Sequence, residues 1–167
     1  MMKKTRIQEI EDKVVTIKSL TNYSIEFGVL TADGEKKIDA GILNIDQTIT
    51  KTELTAADAM YFVEYGTLMI PARPVLQHIL QWTKDALDTV LNQIYCGVLD
   101  NGWTDADIYS RMKFFEAQVN NQIPIIINDI IKNDSVISSA TGNKNENSYV
   151  VNLKTLSKYI KCEITKH

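Results

Sequence analysis

The chain has 167 residues, 44% of them hydrophobic and 23% charged, with a formal net charge of −3. That length suits one domain with a buried core, and the composition excludes disorder along the whole chain. The negative balance argues against broad electrostatic binding to nucleic acid, and no apolar run approaches the ~20 residues needed to cross a bilayer.

The N-terminus, MMKKTRIQEIEDK, starts basic but lacks the apolar core of a signal peptide, as expected of a soluble protein made in the cytoplasm. Ile7, Ile10, Val14, Ile17 and Leu20 recur at steps of three and four, which predicts a short amphipathic helix. In NYSIEFGVL, the alternation of Tyr23, Ile25, Phe27 and Val29 predicts a strand, and Gly28 inside it marks a bulge or a close backbone approach. Thr31 to Leu54 opens on an Asp33-Gly34 turn signal and ends in threonine-rich alternation, the pattern of a long exposed hairpin or loop with weak strands.

Thr55 and Asp58 form a capping pattern, after which Ala56, Ala59, Met60 and Val63 share one helical face. Gly66 stands where a left-handed cap would stop a helix of about ten residues. Pro74 suits the first turn of the next helix, since its missing N–H has no intrahelical partner there. The stripe Leu76, Ile79, Leu80, Leu87, Val90, Leu91, Ile94 and Val98 carries that helix from about Pro74 to Val98, before the turn residues Asp100-Asn101-Gly102. Thr104 and Asp107 repeat the capping pattern ahead of Ile108, Met112, Phe115 and Val119, and Pro124 predicts a kink or an interruption before IIINDII resumes.

Ser138 to Ser148 is polar and turn-rich, the clearest loop in the chain. Ile160, Cys162 and Ile164 alternate as one face of a terminal strand. The element order predicts a single α+β domain over residues 1–167. A small antiparallel sheet is packed by helices on one face and carries a long loop or hairpin arm.

The residues offer little chemistry. His78 lies in an apolar-striped helix and reads as a packed or rim histidine, while His167 is the last residue and is expected to fray. Cys96 and Cys162 match no metal or redox spacing and read as free thiols, buried or partly exposed. No phosphate loop or metal-ligand spacing occurs, so no catalytic residue, cofactor or metal is assigned, and Asp39, Asp46 and Glu53 read as solvated charges. The protein is not expected to be an enzyme.

One stretch stands apart. In EYGTLMIPARPVL, Pro71 and Pro74 fix two backbone angles and push Ile70 and Arg73 into extended conformations, making a stiff bridge between two helices. On it, Arg73 either satisfies the carbonyl end of the helix that stops near Tyr65 or presents a fixed guanidinium to the carboxylate of a neighbouring subunit.

The run FVEYGTLMIPARPVL resembles the signature of tailed-phage neck and tail-completion proteins, also labelled virion morphogenesis or minor tail proteins. The matching positions are Glu64, Tyr65, Gly66, Thr67, Pro71, Ala72, Arg73, Pro74, Val75 and Leu76, with IEFGVL upstream and NLKTLSKYIKCEIT at the end as weaker counterparts. Val75 replaces the usual Phe, and Asn152, Leu153 and Lys154 stand where an Asp-Thr-Gly turn is expected. The resemblance implies a structural virion protein without catalysis or cofactor. It implies a homo-oligomeric ring, usually sixfold in that family, at the head-to-tail junction, between connector or adaptor proteins and the tail-tube protein. DNA would pass through its channel without specific binding, and no membrane is involved. Tyr65, Gly66, Pro71, Arg73 and Pro74 are then candidate subunit-interface residues. A small helical DNA-binding or regulatory protein is the alternative.

Overall fold

Thr5 starts the chain's first helix with a reciprocal cap: its hydroxyl accepts from the Gln8 amide, and its own amide donates to the Gln8 side chain. The computed structural model describes residues 5–43, 49–66, 72–133, 148–151 and 153–167. In chain order its elements are α1 (Arg6–Lys18), a 3-10 turn (Ser19–Asn22), β1 (Tyr23–Val29), α2 (Thr31–Gly34), β2 (Lys37–Leu43), β3 (Ile49–Thr55) and α3 (Ala56–Tyr65). Then follow α4 (Val75–Asn101), α5 (Asp105–Asn133), β4 (Ser148–Val151), α6 (Leu153–Leu156) and β5 (Ile160–Lys166). The fold is α+β: β1 pairs with β5, and a three-stranded sheet has the order β3-β2-β4.

Packing gathers the chain into two units. The first comprises Met1–Glu26, Trp82–Val119 and Cys162–His167; the second comprises Phe27–Gln81 and Asn120–Lys161.

In the first unit, Val90, Ile94 and Val98 of α4 are buried, as are Ile108, Met112, Phe115 and Val119 of α5 and Cys162 and Ile164 of β5. These α5 residues are the ones its periodicity singles out. The helix starts as its capping pattern predicts, with the Thr104 amide and hydroxyl both donating to the Asp107 carboxylate at 2.7 Å. Those bonds, the backbone one foremost, hold the Asp107 carboxyl below its ordinary range. Glu116 accepts from the Ile164 amide at 2.6 Å, and Lys113 donates to the Ile164 carbonyl at 3.0 Å. With both backbone groups of Ile164 taken by side chains, that position of β5 is closed to pairing with another strand. The strand face holds as predicted: Ile160, Cys162 and Ile164 are buried, and burial raises the Cys162 thiol to about 11. His167 does not fray, because its amide donates to the Asn22 carbonyl at 2.8 Å and its ring meets the Ser24 hydroxyl at 2.8 Å.

In the second unit, β2 pairs antiparallel with β3, Lys37 opposite Thr55 through Leu43 opposite Ile49, and with β4, Ala40 opposite Val151 through Leu43 opposite Ser148. Ile38 and Ala40 are buried while Asp39 is exposed, the alternation of a sheet covered on one face. Ala56, Ala59, Met60 and Val63 of α3, Val75 and Ile79 of α4, Ile123 and Ile127 of α5, and Leu153 and Leu156 of α6 fill the rest of that core.

Several expectations change. The Thr31–Leu54 segment forms the expected antiparallel strand pair, β2 with β3, but Asp33-Gly34 ends the one-turn helix α2 ahead of it, and Ile38 and Ala40 of β2 are buried rather than exposed. Asp33 is buried and accepts from Lys161 at 2.5 Å and from Lys36; these hydrogen bonds, Lys161 first, hold its carboxyl below the ordinary range. Pro124 does not interrupt α5, which runs on to Asn133; one missing N–H leaves the rest of a 29-residue ladder in place. Gly28 has φ +139° and open space where a side chain would stand, so it marks backbone geometry rather than a close approach. α4 extends past Val98 to Asn101, and His78 on it is exposed. Asp39 and Glu53 are exposed, as solvated charges are expected to be, with Glu53 in a surface pair with Lys37 at 2.9 Å. Asp46 and residues 138–147 of the polar loop lie outside the described residues.

Candidate functional site

The signature stretch joins α3 to α4 in the second unit. Thr55 starts α3 as its pattern predicts: its hydroxyl accepts from the Asp58 amide at 3.1 Å and donates to the Asp58 carboxylate at 2.6 Å. After the ten residues of α3, Gly66 ends the helix with φ +71° and ψ −178°. The positive φ agrees with a glycine stop, but ψ differs from the expected left-handed cap. This extended, positive-φ geometry is essentially reserved for glycine.

The chain returns at Ala72, and two sets of bonds fasten the return to the departure. The backbone N–H of Arg73 donates to the Val63 carbonyl at 2.7 Å, in the last turn of α3. The Glu64 carboxylate, itself buried, accepts from the Leu76 amide at 2.8 Å and the Gln77 amide at 3.3 Å, in the first turn of α4. Glu64 therefore does the work of an N-cap from a different helix, and its negative charge faces the positive end of the α4 dipole. Pro74 completes the start, its carbonyl accepting from the His78 amide at 3.2 Å while the Val75 amide donates to the Arg73 carbonyl at 2.7 Å.

Of the five candidate residues, Gly66, Arg73 and Pro74 belong to this clasp. Arg73 is half-buried, and its backbone amide donates to the carbonyl end of α3. Pro71 lies outside the described residues. Tyr65 stands apart from the clasp: it is 70% exposed and packs at a tilt of 47° against Tyr61, with ring centroids 5.0 Å apart, while Tyr61 meets Phe62 edge-on at 6.1 Å. Tyr61, 60% exposed, thus extends the candidate surface by one helical turn.

The residue that sequence reasoning missed in this role is Glu64. A signal existed in the accounting of helix ends. Arg73 and Pro74 have no side-chain acceptor for the first amides of α4, so a buried start to that helix needed an acceptor from elsewhere.

Among the described residues, no group of three His, Cys, Asp or Glu side chains could hold a metal ion, and no helix is long and apolar enough to cross a membrane. Neither Cys96, which is exposed, nor Cys162, which is buried, is in a disulfide. No family model, curated protein or solved structure matches the chain.

Proposed function

We propose that this chain is a structural protein of the phage head-to-tail junction, a subunit of a ring that completes the tail or joins it to the capsid connector and leaves a channel for DNA. The observation that carries the reading is the resemblance of FVEYGTLMIPARPVL to the neck and tail-completion signature. The geometry of that stretch suits such a role. Glu64 and the Arg73 amide tie the end of α3 to the start of α4, so each subunit would present these two helix ends in one fixed arrangement. The exposed Tyr61–Tyr65 pair beside it is a large, stiff amphipathic surface of the kind enriched at protein interfaces. A net charge of −3 suits a channel wall that does not trap DNA, and it weighs against the alternative of a small DNA-binding protein.

Negative-stain imaging and light scattering of the purified protein test the proposal. Annular particles are the expected result, alone or on isolated tails; a chain that stays strictly monomeric even with tails present overturns it. Arg73→Ala sharpens the test. If its guanidinium serves an intersubunit contact, assembly fails while unfolding of the protomer barely moves. A stability loss of ~2 kcal/mol or more instead identifies an internal role.

A further inference from the structure

α1 is attached to the first unit by the wrong face. Its half-buried side is Lys13, Thr16 and Ile17, and the Lys13 ammonium donates to the Leu99 carbonyl at 2.5 Å. The aliphatic row lies elsewhere: Ile7 is 69% exposed, and Ile10, Val14 and Val15 are also exposed. Glu11 sits inside that row, one helical turn from both Ile7 and Val15. The result is an apolar surface with a single carboxylate near its middle.

The same unit carries a surface of opposite kind. An open groove of about 450 Å³ between α4 and α5 is lined by Gln93, Cys96, Gly97, Asn101, Trp103 and Arg111. The Arg111 guanidinium donates to the Gln93 side chain and lies 5.0 Å over the Phe114 ring, itself exposed. Arg111 Nε is buried without a hydrogen-bond partner, and no described carboxylate pairs with the guanidinium. An oriented arginine between apolar walls is built to take a carboxylate carried on an apolar surface.

We propose that α1 of one copy of the chain docks in this groove of a second copy, with its aliphatic row against Trp103, Cys96 and Phe114 and Glu11 paired with Arg111. Glu11 offers the charge and the aliphatic row the apolar surface that this groove takes, with Lys18 one turn beyond the row on the same face, and the chain's own α1, held at Leu99, presents this face to solvent. A single helix in a groove buries less than the ~800 Å² per partner of a stable complex, so association through this contact is concentration-dependent. The contact does not depend on the virion role.

Sedimentation velocity on the full chain, over a protein concentration series, tests it with a charge-reversal cycle. The native protein should show mass above the 18.9 kDa protomer at high concentration. Glu11→Arg and Arg111→Glu should each weaken association about tenfold or more, and the double variant should recover most of the loss. Circular dichroism establishes that each variant is folded. A native protein monomeric throughout, single variants that associate normally, or a double variant without recovery each overturns the contact. A second measurement avoids Arg111: a chain carrying Ile7→Cys with Cys96→Ser is mixed with native chain under mild oxidation. A disulfide between the two chains is expected, faster than from Glu9→Cys with Cys96→Ser; equal rates overturn the proposal. Rings that form in charge-reversed variants whose concentration-dependent association is lost would show the two contacts to be separate and leave the neck reading standing.

Discussion

α1 and α5 look alike as patterns, each with apolar residues at steps of three and four, yet they end in opposite environments. On α5 the patterned residues Ile108, Met112, Phe115 and Val119 are buried. On α1 no residue is buried, and Ile7, Ile10, Val14 and Val15 face outward. Periodicity names a face; it does not name what covers it. An α5-like face covered within the chain stabilises the protomer through apolar burial, whereas an α1-like face can contribute only when something else arrives.

The largest expected effect tests the covered side of that contrast. Phe115→Ala should destabilise the protomer by ~3–5 kcal/mol in urea unfolding, because a fully buried ring leaves a cavity that close packing refills poorly. Next comes the α3–α4 joint, where a helix start depends on a residue of another helix. Glu64→Ala should cost about 2 kcal/mol by removing a charged acceptor from two amides, and Glu64→Gln should keep part of that stability through its carbonyl oxygen. Gly97 is a smaller case of the same dependence: a side chain there would overlap the Trp103 ring. Gly97→Ala should cost about 1 kcal/mol net, the overpacking penalty outweighing the gain in helix propensity, as read from the melting temperature.

A pH series reaches a weaker effect. The folded-state pKa of Asp33 lies below its ordinary value of 3.8, so its contribution to stability is complete above about pH 4 and is lost as pH falls through the folded value. Asp33→Asn should flatten the acid limb of the stability curve and leave its slope above pH 6 unchanged. The smallest effect closes the comparison: Ile10→Ala should shift protomer stability by no more than ~0.5 kcal/mol. A loss comparable to that of Phe115→Ala would mean that α1 is covered within its own chain.

Much of the framework was legible because it rests on contacts close in sequence. The Thr55 and Thr104 caps, the buried faces of α3 and α5 and the alternation of β5 all follow from side chains within four residues of one another. The candidate site was legible only in part. A glycine stop at Gly66 and a proline start at Pro74 could be read locally, but the Glu64 cap spans 12 to 13 residues and required α3 and α4 to be brought together first. Asp33 read as a turn residue for the same reason, since one of its two lysines stands 128 residues away.

The sequence by itself determined where most helices and strands lie and which faces are apolar, because side-chain period and capping chemistry act over a single turn or pleat. It also determined the glycine stop of α3 and the proline start of α4, through the backbone limits of those two residue types. Only the tertiary structure decided which apolar faces are covered, which carboxylates are buried, and that Glu64 rather than a residue of the bridge satisfies the start of α4. Those outcomes depend on which groups meet across long stretches of chain, and local pattern carries no term for that distance.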